Sequence, residues 1–177
     1  MPHLIAPDVR IHRSFLDAMQ EFVEEGADER SLLVHEMEEY ADTWHRPEVF
    51  ARYVAGLNAE PLEETPRVAG WVPMTTVWYV EGDTFLGRLS VRHRLNRFLA
   101  EVGGHIGYAV RPSARRRGHA TAMLRGSLPV AHRLGIESAL VTCDTTNIAS
   151  RRVIEAAGGV LEDQRAGKLR FWIRTGV

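Results

Sequence analysis

The run Gly107-Tyr108-Ala109-Val110-Arg111-Pro112-Ser113-Ala114-Arg115-Arg116-Arg117-Gly118-His119-Ala120-Thr121 sets three consecutive arginines and a glycine between two apolar patterns. Ile106, Tyr108 and Val110 are bulky at alternate positions and predict a strand, which Pro112 ends because it brings no N–H to a ladder. Ala120, Met123, Leu124 and Leu128 recur at helical spacing behind it. A loop feeding a helix start offers unpaired N–H groups and the positive end of the helix dipole, which together seat a phosphate. Gly118 lets the backbone come close to a ligand, Ala120 keeps the next turn thin, and the arginines add charge and donors. The chemistry predicted is a pyrophosphate cradle; the plainer alternative is a solvated basic turn. Two better-known phosphate patterns, G-x-G-x-x-G and G-x-x-x-x-G-K-[ST], are absent.

The elements that must position this loop follow from period and punctuation. Residues 3–8 read as a short first strand. Ile11, Phe15, Met19, Phe22 and Val23 give one apolar helical face over 11–25, with Gly26 as its stop. A polar helical stretch runs from Asp28 to about Asp42, and Pro47 opens a helix to about Ala59. Residues 68–80 and Phe85–Arg92 read as a hairpin about Gly82-Asp83. The segment 93–103 is a longer connection, and 104–111 is the strand before the loop. A helix over about 118–134 then ends at Gly135, and 138–143 is a buried-type strand. Ile148–Ala157 is a short helix capped from Asp144-Thr145-Thr146-Asn147, and strands over 159–165 and 168–174 close the chain. The fold class predicted is α+β, with antiparallel strands and a strand-helix-strand unit whose two strands run parallel.

At 177 residues, 45% apolar and 25% charged, the chain suits one domain over 1–177 with its own core. A net charge of −1 argues against nucleic-acid binding, although the field near 111–117 is locally basic. The single cysteine, Cys143, excludes an internal disulfide and fits a reducing, cytoplasmic setting; it reads as a small buried strand residue rather than a nucleophile. No signal-like or membrane-spanning run is present, and the eight histidines lack metal-ligand spacing, so no metal and no membrane are expected. Glu36, Glu38 and Glu39 read as a solvated helix face, or as the border of an entrance for a cationic amine.

Arg115-x-x-Gly118-x-Ala120 resembles the [Q/R]-x-x-G-x-[G/A] motif of the GCN5-related N-acetyltransferase (GNAT) superfamily. Asn147-Ile148-Ala149-Ser150-Arg151-Arg152-Val153 through Gly158-Gly159 resembles its N-x-x-[AS]-x-x-[LV]-x-x-x-x-G-F segment, at the expected distance. The two motifs cover about 104–160. The resemblance implies a twisted, mostly antiparallel sheet with flanking helices and acetyl-coenzyme A as cosubstrate, without a metal. It implies binding by Tyr108, Ala109, Val110, Arg115, Arg116, Arg117, Gly118, His119, Ala120, Thr121, Asn147, Ser150 and Arg151, and direct acetyl transfer to the primary amine of a small molecule or peptide. A homodimer through strand edges is compatible with such a fold. The Val110 N–H is then the oxyanion donor.

Two positions depart from the pattern. Where many members carry a glutamate ahead of the Gly-Tyr pair this chain has His105, a candidate base near neutral pH, with Glu101 and Glu81 behind it. Where many carry a tyrosine that protonates the leaving thiolate, this chain has Ile154; Tyr108, Tyr79 and Ser150 are candidates for that work. The missing tyrosine leaves open a non-catalytic acyl-CoA sensor.

Overall fold

The computed structural model describes residues 1–26, 32–40 and 42–176. Its elements are β1 (His3–Ile5), α1 (His12–Glu25), α2 (Leu32–Tyr40), α3 (Pro47–Ala59), β2 (Met74–Glu81), β3 (Thr84–Arg92), β4 (Ile106–Val110), α4 (His119–Arg133), β5 (Ser138–Asp144), α5 (Ile148–Ala156), β6 (Val160–Arg165) and β7 (Lys168–Arg174). The expected start of the second helix, Asp28 to Ser31, lies outside the described residues. The hairpin's first strand is shorter than expected, because a turn with Gly70 in the left-handed region and then Pro73 precede Met74. The 93–103 connection, expected as a plain link, ends in a π-helical turn over Leu99–Gly103, started by Asn96 Oδ1 accepting the Leu99 N–H at 2.9 Å.

The strands form two sheets, ordered β1-β2-β3-β4 and β5-β7-β6, with every ladder antiparallel. No ladder joins β4 to β5 among the described residues. The two strands touch at one end, where the His105 N–H donates to the Leu140 carbonyl at 2.7 Å, and then diverge. Gly104 sits against that junction at φ +64°, where a Cβ would lie 2.6 Å from the Leu140 oxygen. No L side chain fits there without moving the strand.

The first sheet is covered on both faces. Phe15, Ala18, Met19 and Phe22 of α1 and Phe50, Tyr53, Val54 and Leu57 of α3 meet Trp78, Val80 and Phe85 on one face. Phe15 stacks on Trp78 at 5.2 Å between ring centres. On the other face Met123, Leu124 and Ala131 of α4 pack on Leu89 and Val91, and the cluster continues to Val141, Ile154 and Phe171 of the second sheet. Alternation along β3 therefore sends Leu89 and Val91 to α4 and leaves Arg88, Ser90 and Arg92 on the opposite face.

Candidate functional site

The loop between β4 and α4 is held from behind by α1. Glu21 accepts from Arg111 Nε at 2.7 Å, from the Ser113 amide at 2.9 Å and from the Ser113 hydroxyl at 2.9 Å. Burial pushes this carboxyl up, but those hydrogen bonds and the Arg111 charge outweigh it, and Glu21 sits below its ordinary value. Glu25 takes both terminal nitrogens of Arg115, whose Nε donates to the Val110 carbonyl at 3.1 Å. Two of the clustered arginines thus brace the loop against α1 and are locally neutralised. Arg116 and Arg117 are exposed.

Arg116 (φ +62°) and Gly118 (φ +81°) both occupy the left-handed region. Gly118 is the N-cap of α4, and no side chain hydrogen-bonds there. The first intrahelical bond runs from the Ala122 N–H to the Gly118 carbonyl at 3.1 Å. The N–H groups ahead of it have no intrahelical partner and face a cleft. A Cβ at Gly118 would meet nothing within 4 Å, so that side of the loop is open. The cleft, about 650 Å³, is lined by Ala109, Val110, Arg115, Arg116, Gly118 and His119, together with Ala120, Thr121, Tyr108, Asn147 and Ser150. Arg117 does not line it. Neither does Arg151, whose guanidinium is engaged by Glu155 one turn on at 2.9 Å.

A second cleft of about 650 Å³ adjoins the first and shares Leu33, Tyr108, Ala109, Asn147 and Ser150 with it. Its floor is the polar face of β3 (Arg88, Ser90, Arg92) beside Gly107, which has no side chain, and Ala109, whose methyl is small, and together these leave the room. Its far wall is Thr142, Cys143, Asp144 and Lys168 of the second sheet. The cleft exists because β4 and β5 splay apart. The Arg92 N–H donates to the His105 carbonyl and the Arg111 N–H to the Leu86 carbonyl. Antiparallel alternation then gives Gly107 and Ala109 to β3, so the N–H groups of Tyr108 and Val110 point away from it, toward β5.

At the junction of the clefts the Tyr108 hydroxyl lies 2.8 Å from Ser150 Oγ. Burial raises this phenol to about 12, against the lowering effect of the Ser150 bond. Asn147 caps α5 through Oδ1, which accepts the Ser150 N–H at 3.0 Å. Cys143 is buried and its thiol is pushed up by burial, so it is the inert strand residue expected from sequence. Ile154 is fully buried in the core.

His105 has a different place from the one its position suggested. It lines neither cleft, and its Nδ1 accepts the Leu140 N–H at 2.9 Å. Burial first, then the Arg92 charge, pull the imidazole down to about 4. Its proton-accepting lone pair is occupied by a backbone amide that β4 fails to pair, so the ring fastens the two sheets and is not positioned as a base. Glu81 and Glu101 line neither cleft. Tyr79 lines neither cleft; its ring centre is 5.6 Å from that of His119. Glu36 is also corrected: it is buried, binds both terminal nitrogens of Arg88, and accepts from the Tyr53 hydroxyl at 2.7 Å. Glu38 and Glu39 are exposed as expected. Arg88, Ser90 and Arg92 were missed as cleft residues, although their strict alternation with Leu89 and Val91 was a visible signal.

Among the described residues no group of acidic, histidine or cysteine side chains is placed to hold a metal, and no helix is long and apolar enough to cross a membrane. No curated protein sequence matches the chain. Solved structures resemble it across nearly its whole length. An N-acetyltransferase, PaiA, from Thermoplasma acidophilum, solved with coenzyme A, aligns at TM-score 0.62 and 9% identity over 98% of this chain and 99% of its own. RimJ from Mycobacterium smegmatis, solved with a CoA disulfide, aligns at 0.65 and 18% over 98% and 81%. A Salmonella typhimurium acetyltransferase that modifies the N-terminal serine of a 50S ribosomal subunit protein aligns at 0.61 and 16% over 98% and 94%. These identities speak for the fold. The sequence profile of the acetyltransferase (GNAT) domain matches residues 30–160, which contain both motifs and the residues shared by the two clefts, and the chain belongs to that family of acetyltransferases.

Proposed function

We propose that this protein is an N-acetyltransferase that transfers the acetyl group of acetyl-coenzyme A directly to a primary amine. The observation that carries the reading is the pair of adjoining clefts meeting at Tyr108, Ala109, Asn147 and Ser150. One is floored by an uncapped helix start suited to a pyrophosphate, and the other is open to an acceptor. In this reading Gly118, His119, Ala120 and Thr121 hold the pyrophosphate with backbone amides. Arg116 supplies charge, and Arg115 holds the loop in shape through Glu25. Asn147 and Ser150 line the path between the clefts. The cosubstrate brings the acyl group already activated as a thioester.

The Val110 N–H, pointing into the splay, donates to the carbonyl oxygen as it becomes anionic. The new C–N bond forms as the C–S bond breaks, and the Tyr108 hydroxyl gives its proton to the departing sulfur. Tyr108 regains a proton through Ser150 and solvent, and the proton of the attacking amine leaves to water in the open cleft. With Tyr108 in this role, the absence of a donor at Ile154 no longer favours a sensor that binds without turnover. The structural neighbours described as acting on protein N-termini support an amine acceptor.

The test is calorimetric titration with acetyl-coenzyme A of the wild type and of Gly118→Trp, with Gly118→Ala as the control for backbone strain. The expected result is binding by the wild type, a modest loss in the alanine variant and no measurable binding in the tryptophan variant. Binding unchanged by tryptophan overturns the placement of the cradle, and no release of coenzyme A with any amine overturns the transfer.

A further inference from the structure

The acceptor cleft carries an imbalance of charge. Three cations line it, Arg88, Arg92 and Lys168. Arg88 is held by Glu36, and Lys168 by Asp144 at 2.7 Å. Arg92 has no carboxylate within 4 Å among the described residues. Its Nη1 donates to the Gly103 and Gly104 carbonyls at 3.1 and 3.2 Å. Those carbonyls belong to the end of the π-helical turn, so the side chain is fixed in position. Burial alone lowers Arg92 below its ordinary value, with no acidic neighbour to offset it. Its guanidinium stands over Gly107, whose missing Cβ would lie 3.7 Å from both terminal nitrogens. A side chain at 107 would cover that face of the guanidinium; glycine leaves it open to the cleft.

A partly desolvated, preorganised guanidinium without a counter-ion is a seat for an anion, and its planar fork suits a carboxylate. Its distance from the chemistry is set by the strand. Gly107 and Val110 are three residues apart on β4, which is roughly 10 Å at strand rise. An amine attacking beside Val110 then places a carboxylate on Arg92 about 7–10 Å from its nitrogen.

We infer that Arg92 is an acceptor-binding residue, and that the preferred acceptor is a primary amine with a carboxylate some 7–10 Å away, a length that an extended peptide start with an acidic second residue or an ω-amino acid of similar span supplies. This rests on the transferase reading for the identity of the cleft but not for its test. Calorimetry on the complex with coenzyme A compares seryl-aspartyl dipeptide amide with its seryl-asparaginyl twin, and aminohexanoate with its carboxamide. The expected result is about tenfold or more tighter binding of the acid in at least one pair, lost in Arg92→Gln and kept in part in Arg92→Lys. The arm that discriminates identifies the source of the carboxylate. Equal binding within both pairs, or a preference that survives Arg92→Gln, overturns the inference. Acetyl-coenzyme A binding by Arg92→Gln confirms that the variant is folded. Discrimination in binding without turnover of either acid would retire the transferase reading and leave the anion seat standing.

Discussion

Replacing Tyr108 by phenylalanine removes one hydroxyl from the junction of the two clefts and leaves the ring that packs beside the core. In the wild type the phenol sits at about 12 and is fully protonated at neutral pH, 2.8 Å from Ser150 Oγ. In Tyr108→Phe the departing sulfur must take its proton from water, a weaker acid by roughly 4 pH units. With about half of that difference expressed in the transition state, the loss is roughly 100-fold in kcat, or ~2.7 kcal/mol of barrier. The KM for acetyl-coenzyme A should change little, because the Gly118 loop is untouched. The assay is coenzyme A release with a saturating amine, measured from pH 6 to 10. Both proteins should gain activity as the amine deprotonates, and the wild type should show no falling limb from Tyr108 in that range. A kcat within about threefold of wild type would refute the assignment of the acid. A comparable rise in KM would show that the residue binds rather than reacts.

Other perturbations address the frame. Glu36→Gln leaves the buried Arg88 without its counter-charge, and should cost about 3–5 kcal/mol, read as a fall in Tm of roughly 6–20 °C; a loss under about 1 kcal/mol in urea unfolding contradicts the pairing. Glu60 tests the pH dependence of stability. Burial, then the Glu36 charge, raise it from 4.5 to about 7, and its Oε2 is buried without a partner. The unfolded chain ionises this group first, so wild-type stability falls as pH rises from 4.5 through 7, by up to about 3 kcal/mol and nearer 1.5 after solvent screening. Glu60→Gln should match the wild type near pH 4.5 and exceed it by that amount at pH 8; a difference in urea midpoints independent of pH refutes the argument.

The parts legible in the sequence were those fixed by local chemistry. Gly26 in the left-handed region ends α1, Pro47 opens α3 and Asn147 caps α5, each a signal within four residues of its effect. The loop and the uncapped start of α4 were legible for the same reason. What was hidden depends on partners far along the chain. Arg111 and Arg115 look like free ligand donors until Glu21 and Glu25, some 90 residues earlier, are brought beside them. Glu36 sits among acidic neighbours on a polar helix and reads as solvated. Only the fold supplies Arg88, 52 residues on, to bury it. His105 has the residue type and position of a base, and its role is decided by a strand that diverges from β4 one residue later.

That divergence links stability to function. Sheets normally close their ladders, because an unpaired buried amide costs about 1–3 kcal/mol. Here His105, just ahead of β4, donates its N–H to the Leu140 carbonyl of β5, and its Nδ1 satisfies the Leu140 amide in place of a carbonyl. A ring held down to about 4 stays neutral and keeps that acceptor available at every physiological pH. Gly104 gives the strand the conformation and clearance to reach the junction and turn away. Beyond it, the amides of Tyr108 and Val110 remain without strand partners and line the space where the two clefts meet. His105 is therefore bound to the site through the shape of the sheet. Losing its ring removes the Leu140 acceptor at the same place where the gap is set, so stability and the geometry at Val110 should fail together.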